Sequence, residues 1–128
     1  HVGPLRIIRP GPHAHGNYLD WWAETQDDLD ARHHGAAPRH GFVDYHRRRD
    51  GQITLYHIVV KPGVRGQGTG RALLAALEAC GRDANCRRIV LKCPIDLASN
   101  HFYERYGFIL DGTIEGRKRP LNVWMLNL

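Results

Sequence analysis

The chain has 128 residues, 42% of them hydrophobic and 24% charged, which suits one globular core and is too short for two. It carries a formal charge of +5 and a pI near 9.4, but its basic residues do not gather on one helical face with interleaved aromatics, so a nucleic-acid-binding module is not expected. No apolar run approaches the roughly 20 residues of a membrane span and no signal-peptide pattern opens the chain; His1 in place of Met reads as a trimmed start or an added residue.

In chain order, Leu5-Arg6-Ile7-Ile8 reads as a short strand ended by Pro10-Gly11-Pro12. Asn17 caps a helix expected from Tyr18 to about Arg32, with Tyr18, Leu19, Trp22 and Leu29 roughly on one face. Gly35 to His40 reads as loop. Gly41–His46 is a strand, Arg47–Gly51 a hairpin turn carrying Asp50-Gly51, and Gln52–Val60 the returning strand. A helix is expected from Gly68 to about Asp83, with Leu73, Leu74, Leu77 and Cys80 on one face, then a strand over Arg87–Cys93 closed by Pro94. Strand, helix, strand of this kind implies a parallel pair joined by a right-handed crossover. Ala98–Tyr106 forms a short helix with Gly107 as its C-cap, and Phe108–Leu110 and Val123–Leu126 are two last antiparallel strands. There are no repeats and no linker, so residues 1–128 are expected to form a single domain.

The three cysteines, Cys80, Cys86 and Cys93, are odd in number and show no C-x-x-C pairing, which suits reduced thiols in a cytoplasmic protein. His13, His15, His33 and His34 lack a third ligand at metal-binding spacing, and no metal is expected.

The chemistry concentrates between Ile58 and Leu74, where an apolar strand is stopped by Pro62-Gly63 and a glycine-rich turn opens the next helix. Glycines let a ligand approach the backbone, and the first turn of a helix leaves N–H groups unpaired at the positive end of its dipole. The two together seat a phosphate group, and Arg65 and Arg71 bracket the turn with positive charge. Thr69 stands where a Walker loop needs its Lys, and the spacing G-x-G-x-G is not the dinucleotide fingerprint. The stretch does give R-x-x-G-x-G, as Arg65-Gly66-Gln67-Gly68-Thr69-Gly70, preceded by Val60-Lys61-Pro62. It resembles the acetyl-CoA-binding signature of the GNAT superfamily of N-acetyltransferases. Downstream, Phe102-Tyr103-Glu104-Arg105-Tyr106-Gly107-Phe108 is similar to that family's F-Y-E-x-x-G-F segment, and the likeness covers about residues 41–110.

The resemblance implies a GNAT-like mixed α/β fold, a central mixed sheet with a parallel strand–helix–strand core flanked by helices. Fewer N-terminal strands are expected here than the family usually shows. It implies acetyl-CoA as cosubstrate and a primary amine, on a small molecule or a protein, as acceptor. In this reading Arg65, Gly66, Gln67, Gly68, Thr69, Gly70 and Arg71 hold the pyrophosphate. The exposed main chain of Ile58, Val59 and Val60 takes the pantetheine arm, and Phe102 packs or flanks the cofactor. Tyr103 matches the family's general acid, a phenol that is protonated at neutral pH and able to donate to a departing thiolate. The family's Asn falls at Asp96, and Asn100 is the candidate to take over its contact with CoA. No carboxylate stands on the strand before the glycine turn, so His57 is the candidate base, with Asp44, Glu104 or a chain of waters as alternatives. An acyl-enzyme on Cys93 is the less favoured route. One of Trp21 and Trp22 is a candidate for the acceptor site, and the Gly116–Pro120 loop offers Arg117, Lys118 and Arg119 to an acidic acceptor. The alternative function is a non-catalytic CoA-binding sensor or interaction domain, and a homodimer through the terminal strand is left open.

Overall fold

The computed structural model describes residues 6–8, 21–24, 40–61 and 68–128, and of residues 6–8, 21, 22 and 24 it describes the backbone alone. The chain divides into two compact units, His1–Tyr45 with His57–Leu77, and His46–Tyr56 with Glu78–Leu128. Both the fourth strand and the first described helix contribute to each unit. The α/β mixture expected from the sequence is present, with strands paired both parallel and antiparallel.

In the first unit, β1 (Arg6–Ile8) pairs antiparallel with β2 (Trp21–Glu24), and β2 pairs antiparallel with β3 (Gly41–Arg47), matching Trp21 to Val43 and Ala23 to Gly41. The helix expected over 18–32 is therefore corrected: residues 21–24 are a strand, and the rest of that span lies outside the described residues. The helical reading rested on four scattered apolar positions, whereas adjacent tryptophans favour a pleated backbone. Pairing with β3 decides between them. The amide of His40 extends this ladder by donating to the Ala23 carbonyl at 2.8 Å.

β4 (Gln52–Val60) returns from β3 through the four residues 48–51, with the Arg48 N–H donating to the Gln52 carbonyl at 2.7 Å. Gly51 sits at φ 90, the left-handed position such a loop requires. At the far end the Lys61 N–H donates to the His40 carbonyl at 2.6 Å. Between these two bonds β4 holds one residue more than β3, as a β-bulge produces. The burial pattern slips at the same place, for Tyr56 and His57 are both exposed where a regular strand would alternate. Gly41 lets the start of β3 close on β4, since a Cβ there would strike the Val59 carbonyl and crowd Thr69 and Leu73.

α1 (Thr69–Asp83) follows, and its Leu73, Leu74 and Leu77 are fully buried, as its apolar spacing requires. In the second unit the order is β4, β5 (Arg88–Pro94), β7 (Leu121–Asn127), β6 (Ile109–Ile114). β4 and β5 are parallel in a register running from Gln52 with Arg88 to Leu55 with Leu91. β5 pairs antiparallel with β7 along its whole length, and β7 with β6. β6 continues past Leu110, where the sequence reading ended it, because a register shift at Gly112 (φ 104) carries the pairing on to Thr113 and Ile114. α2 (Ser99–Tyr106) stops at Gly107, with φ 124 and the Phe108 N–H closing back on the Tyr103 carbonyl at 3.0 Å.

Candidate active site

The sequence-predicted residues fall into the two units, and each group is built by its own local structure. In the first unit, β4 runs on to Val60 after its parallel register with β5 has reached Leu55. Its alternation of buried and exposed residues ends there too, and Val59 is 39% exposed. An exposed aliphatic residue on an interior strand is informative, since such strands normally bury their apolar side chains on both faces. Ile58, Val59 and Val60 therefore lie on a stretch of β4 beyond its register with β5, part-buried apart from the exposed Val59.

Beyond them, Arg65, Gly66 and Gln67 lie outside the described residues. Gly68 is described at φ 81, a left-handed conformation, with no described residue within 4 Å of where a side chain would begin. Its carbonyl accepts the first helical bond of α1, from the Ala72 N–H at 2.9 Å. The amides of Thr69, Gly70 and Arg71 thus stand ahead of the helical ladder, at the positive end of the dipole. Thr69 is 2% exposed, and its hydroxyl oxygen is buried with no partner among the described residues. A left-handed glycine at the start of α1 and a first-turn hydroxyl without a partner among the described residues fit an anionic phosphate ligand.

His57 meets Asp44 in the same unit. The imidazole Nδ1 lies 2.9 Å from the Asp44 carboxylate Oδ2. The His57 side chain is 66% exposed and that of Asp44 only 9%. A plain hairpin count would set Asp44 opposite Tyr56. The contact falls instead on the next residue, His57, which is why the two residues read from the sequence as rival bases and not as partners.

In the second unit, Tyr103 sits on α2, buried and packed edge-on against Phe108 with ring centroids 5.7 Å apart. Phe102 lies beside it at 5.4 Å. Burial, and secondarily the neighbouring Cys93, push the Tyr103 phenol up to about 12. Cys93, at the end of β5, has its thiol pushed up by burial, with Arg119 pulling it back and Asp96 adding to the rise. It is a neutral thiol at neutral pH, the wrong state for a nucleophile.

Asn100 sits one turn before Tyr103, and its amide is fully engaged. Nδ2 donates to the carbonyls of Pro94 and Leu97, both at 2.8 Å. Oδ1 accepts from Asn122 Nδ2 at 3.1 Å and Trp124 Nε1 at 2.8 Å. Two donors and two lone pairs exhaust what a primary amide offers, so Asn100 braces α2 against the end of β5 and against β7. This network was not anticipated from the sequence, because the two partners on β7, Asn122 and Trp124, lie more than twenty residues away with no motif joining them to Asn100. Asp96 is engaged with Arg119 Nη1 at 2.9 Å, which ties the loop before α2 to the basic loop before β7.

Among the described residues no group of three or more His, Cys, Asp or Glu is placed to hold a metal ion. No helix among them is long and apolar enough to cross a membrane.

The family model described as "Acetyltransferase (GNAT) family" matches residues 8–108. The fold is similar to that of a protein assigned to the GNAT family of acetyltransferases from Desulfovibrio desulfuricans, at 23% identity and a TM-score of 0.69, over 84% of this chain and 67% of that one. It is similar to a nourseothricin acetyltransferase at 22% identity and a TM-score of 0.68, over 84% of this chain and 63% of that one. An aminoglycoside 6'-N-acetyltransferase complexed with coenzyme A matches at 15% identity and a TM-score of 0.65, over 71% of this chain and 67% of that one. The matched part thus spans about two thirds of the length of each of these structures.

Proposed function

Because the chain belongs to the GNAT family of acetyltransferases, we propose that it transfers an acetyl group from acetyl-CoA to the primary amine of an acceptor by direct attack. The family match runs from residue 8 to residue 108, through segments of both compact units, and we take the two units as parts of one catalytic domain over residues 1–128. The observation that carries the reading is the start of α1: left-handed Gly68 with no described residue near where its side chain would begin, followed by Thr69, whose buried hydroxyl has no partner among the described residues. Nothing in the packing of a plain turn asks for either feature.

In this reading the first-turn amides at Thr69, Gly70 and Arg71, with Arg65, Gly66, Gln67 and Gly68 before them, hold the pyrophosphate of the cosubstrate. The main chain of Ile58, Val59 and Val60 receives the pantetheine arm as an added strand would be received. An N–H near Val59 polarises the thioester carbonyl. Acetyl-CoA supplies an acyl group on a good leaving sulfur. The amine nitrogen forms a bond to the carbonyl carbon, the carbon–sulfur bond breaks, and the sulfur takes the phenolic proton of Tyr103. A phenol at about 12 stays protonated throughout the neutral range, so the acid is loaded at every turnover. The proton released by the amine goes to His57. Asn100, its amide engaged inside the second unit, serves by holding the helix that carries Tyr103.

The test is a thiol-release assay with acetyl-CoA and a broad amine panel, run on the wild type and on Tyr103→Phe. The account expects thiol release with at least one amine, and a fall in kcat of about 10²–10⁴ in the variant at unchanged acetyl-CoA affinity. Binding of acetyl-CoA without release for any amine would overturn the activity and leave a CoA-binding sensor in its place.

A further inference from the structure

We propose that Asp44 is a positioning residue for His57, holding the imidazole in the tautomer that carries its proton on Nδ1 and presenting the Nε2 lone pair outward as the base that deprotonates the acceptor amine. The inference rests on the acetyltransferase reading above and adds to it the residue that makes the candidate base competent.

An ionised carboxylate only accepts hydrogen bonds, so the 2.9 Å contact between Asp44 Oδ2 and His57 Nδ1 requires a proton on Nδ1. A neutral imidazole so held has its lone pair on Nε2, the nitrogen away from the carboxylate. The exposures fit a divided role, since the Asp44 side chain is 9% exposed and that of His57 66%: one anchors, the other reaches out. A pair that merely pinned the hairpin would be a poor device, because an ion pair with one exposed partner contributes little. Burying the Asp44 carboxylate is costly as well, and its second oxygen, Oδ1, has no partner among the described residues. Between the Arg48–Gln52 and His40–Lys61 bonds β4 holds one residue more than β3, and β-bulges recur beside active sites.

In the transfer, the amine nitrogen bonds to the thioester carbon and gives one proton to His57 Nε2. The imidazolium formed keeps its Nδ1–H on Asp44, whose negative charge offsets the new positive one. The carbon–sulfur bond breaks and the thiolate takes its proton from Tyr103, so charge and protons balance.

Nitrogen-15 NMR of histidine-labelled protein reads the tautomer directly, at a pH where the ring is neutral and with His57→Gln to assign the signal. The expected spectrum shows His57 with its proton on Nδ1 in the wild type and loss of that preference in Asp44→Asn. The kinetic arm expects Asp44→Asn and His57→Gln each to lower kcat by about 10²-fold or more, with KM for acetyl-CoA unchanged, and the double variant to lose little beyond either single one. A wild-type signal with the proton on Nε2, or an Asp44→Asn enzyme within a few-fold of wild-type kcat, overturns the proposal. If Asp44→Asn does not fold, the wild-type spectrum and the exposed His57→Gln variant decide it alone. Absence of turnover in the wild type alongside the expected tautomer overturns the acetyltransferase reading and the use of His57 as base, while Asp44's hold on the ring stands.

Discussion

Replacing Asn100 with Ala should destabilise the protein far more than its position on a short helix suggests. The change deletes four hydrogen bonds, two given by Nδ2 to the Pro94 and Leu97 carbonyls and two received by Oδ1 from Asn122 and Trp124. The bond to Leu97 is exposed, and water replaces it at almost no loss. The other three are partly buried, and each contributes about 1 kcal/mol net. Trp124 is only 4% exposed, so its indole N–H is left without a partner, which costs roughly 1–2 kcal/mol more. The sum is about 4–5 kcal/mol, a large share of the 5–15 kcal/mol typical of a whole domain. At roughly 4 °C per kcal/mol for a chain of this size, Tm should fall by about 16–20 °C. Urea unfolding followed by tryptophan fluorescence measures this, with an unchanged m-value showing that the loss is one of stability. Asn100→Asp should also fall short of wild type, since it keeps an acceptor for Trp124 but sets a second oxygen against the Pro94 carbonyl. A loss below about 1 kcal/mol for the alanine variant would show that the amide is not the brace described, because a single net hydrogen bond is worth that much.

Cys93→Ala should leave turnover within a few-fold of wild type, because a buried thiol pushed upward is not the nucleophile; collapse of kcat in this variant would revive an acyl-enzyme route. Tyr103 titrates in the fold at about 12 against 10.0 for a free phenol. The folded state therefore keeps its proton while the unfolded state loses one, and this group's contribution to stability is full below pH 10 and declines as pH rises from 10 towards 12. Tyrosinate absorbance and urea midpoints across that window check the sign, and a Tyr103→Phe variant should lack that part of the decline. Gly68→Ala meets no atom of the described residues but forces φ 81 on a residue with a Cβ, at a cost of about 1–2 kcal/mol. A thermal melt should register that cost, and calorimetry should show weaker acetyl-CoA binding.

The parts of the fold carried by local chemistry were legible in the sequence. Pro62 and the glycines mark the end of β4 and the start of α1, Leu73, Leu74 and Leu77 repeat at helical spacing and are all buried, and Gly107 stops α2 as its C-cap. What escaped depends on tertiary partners. β2 is a strand because its backbone finds β3, although its few apolar residues allowed a helix. β6 was read only over its apolar residues Phe108–Leu110, whereas its pairing continues past Gly112 to Thr113 and Ile114. Of the candidate site, Tyr103 and the helix start could be read from motifs. The pairing of Asp44 with His57 could not, since a plain hairpin count sets Asp44 opposite Tyr56 and the contact falls on His57. Nor could the engagement of Asn100, whose partners on β7 have no sequence relation to it.

Titration calorimetry of acetyl-CoA into the purified protein tests the central claim most directly. The account predicts saturable one-to-one binding in the micromolar to submillimolar range usual for such substrates, weakened in Gly68→Ala and kept in Tyr103→Phe. No heat of binding up to millimolar acetyl-CoA would contradict it, because a glycine turn that seats no coenzyme leaves Tyr103 without a sulfur to protonate.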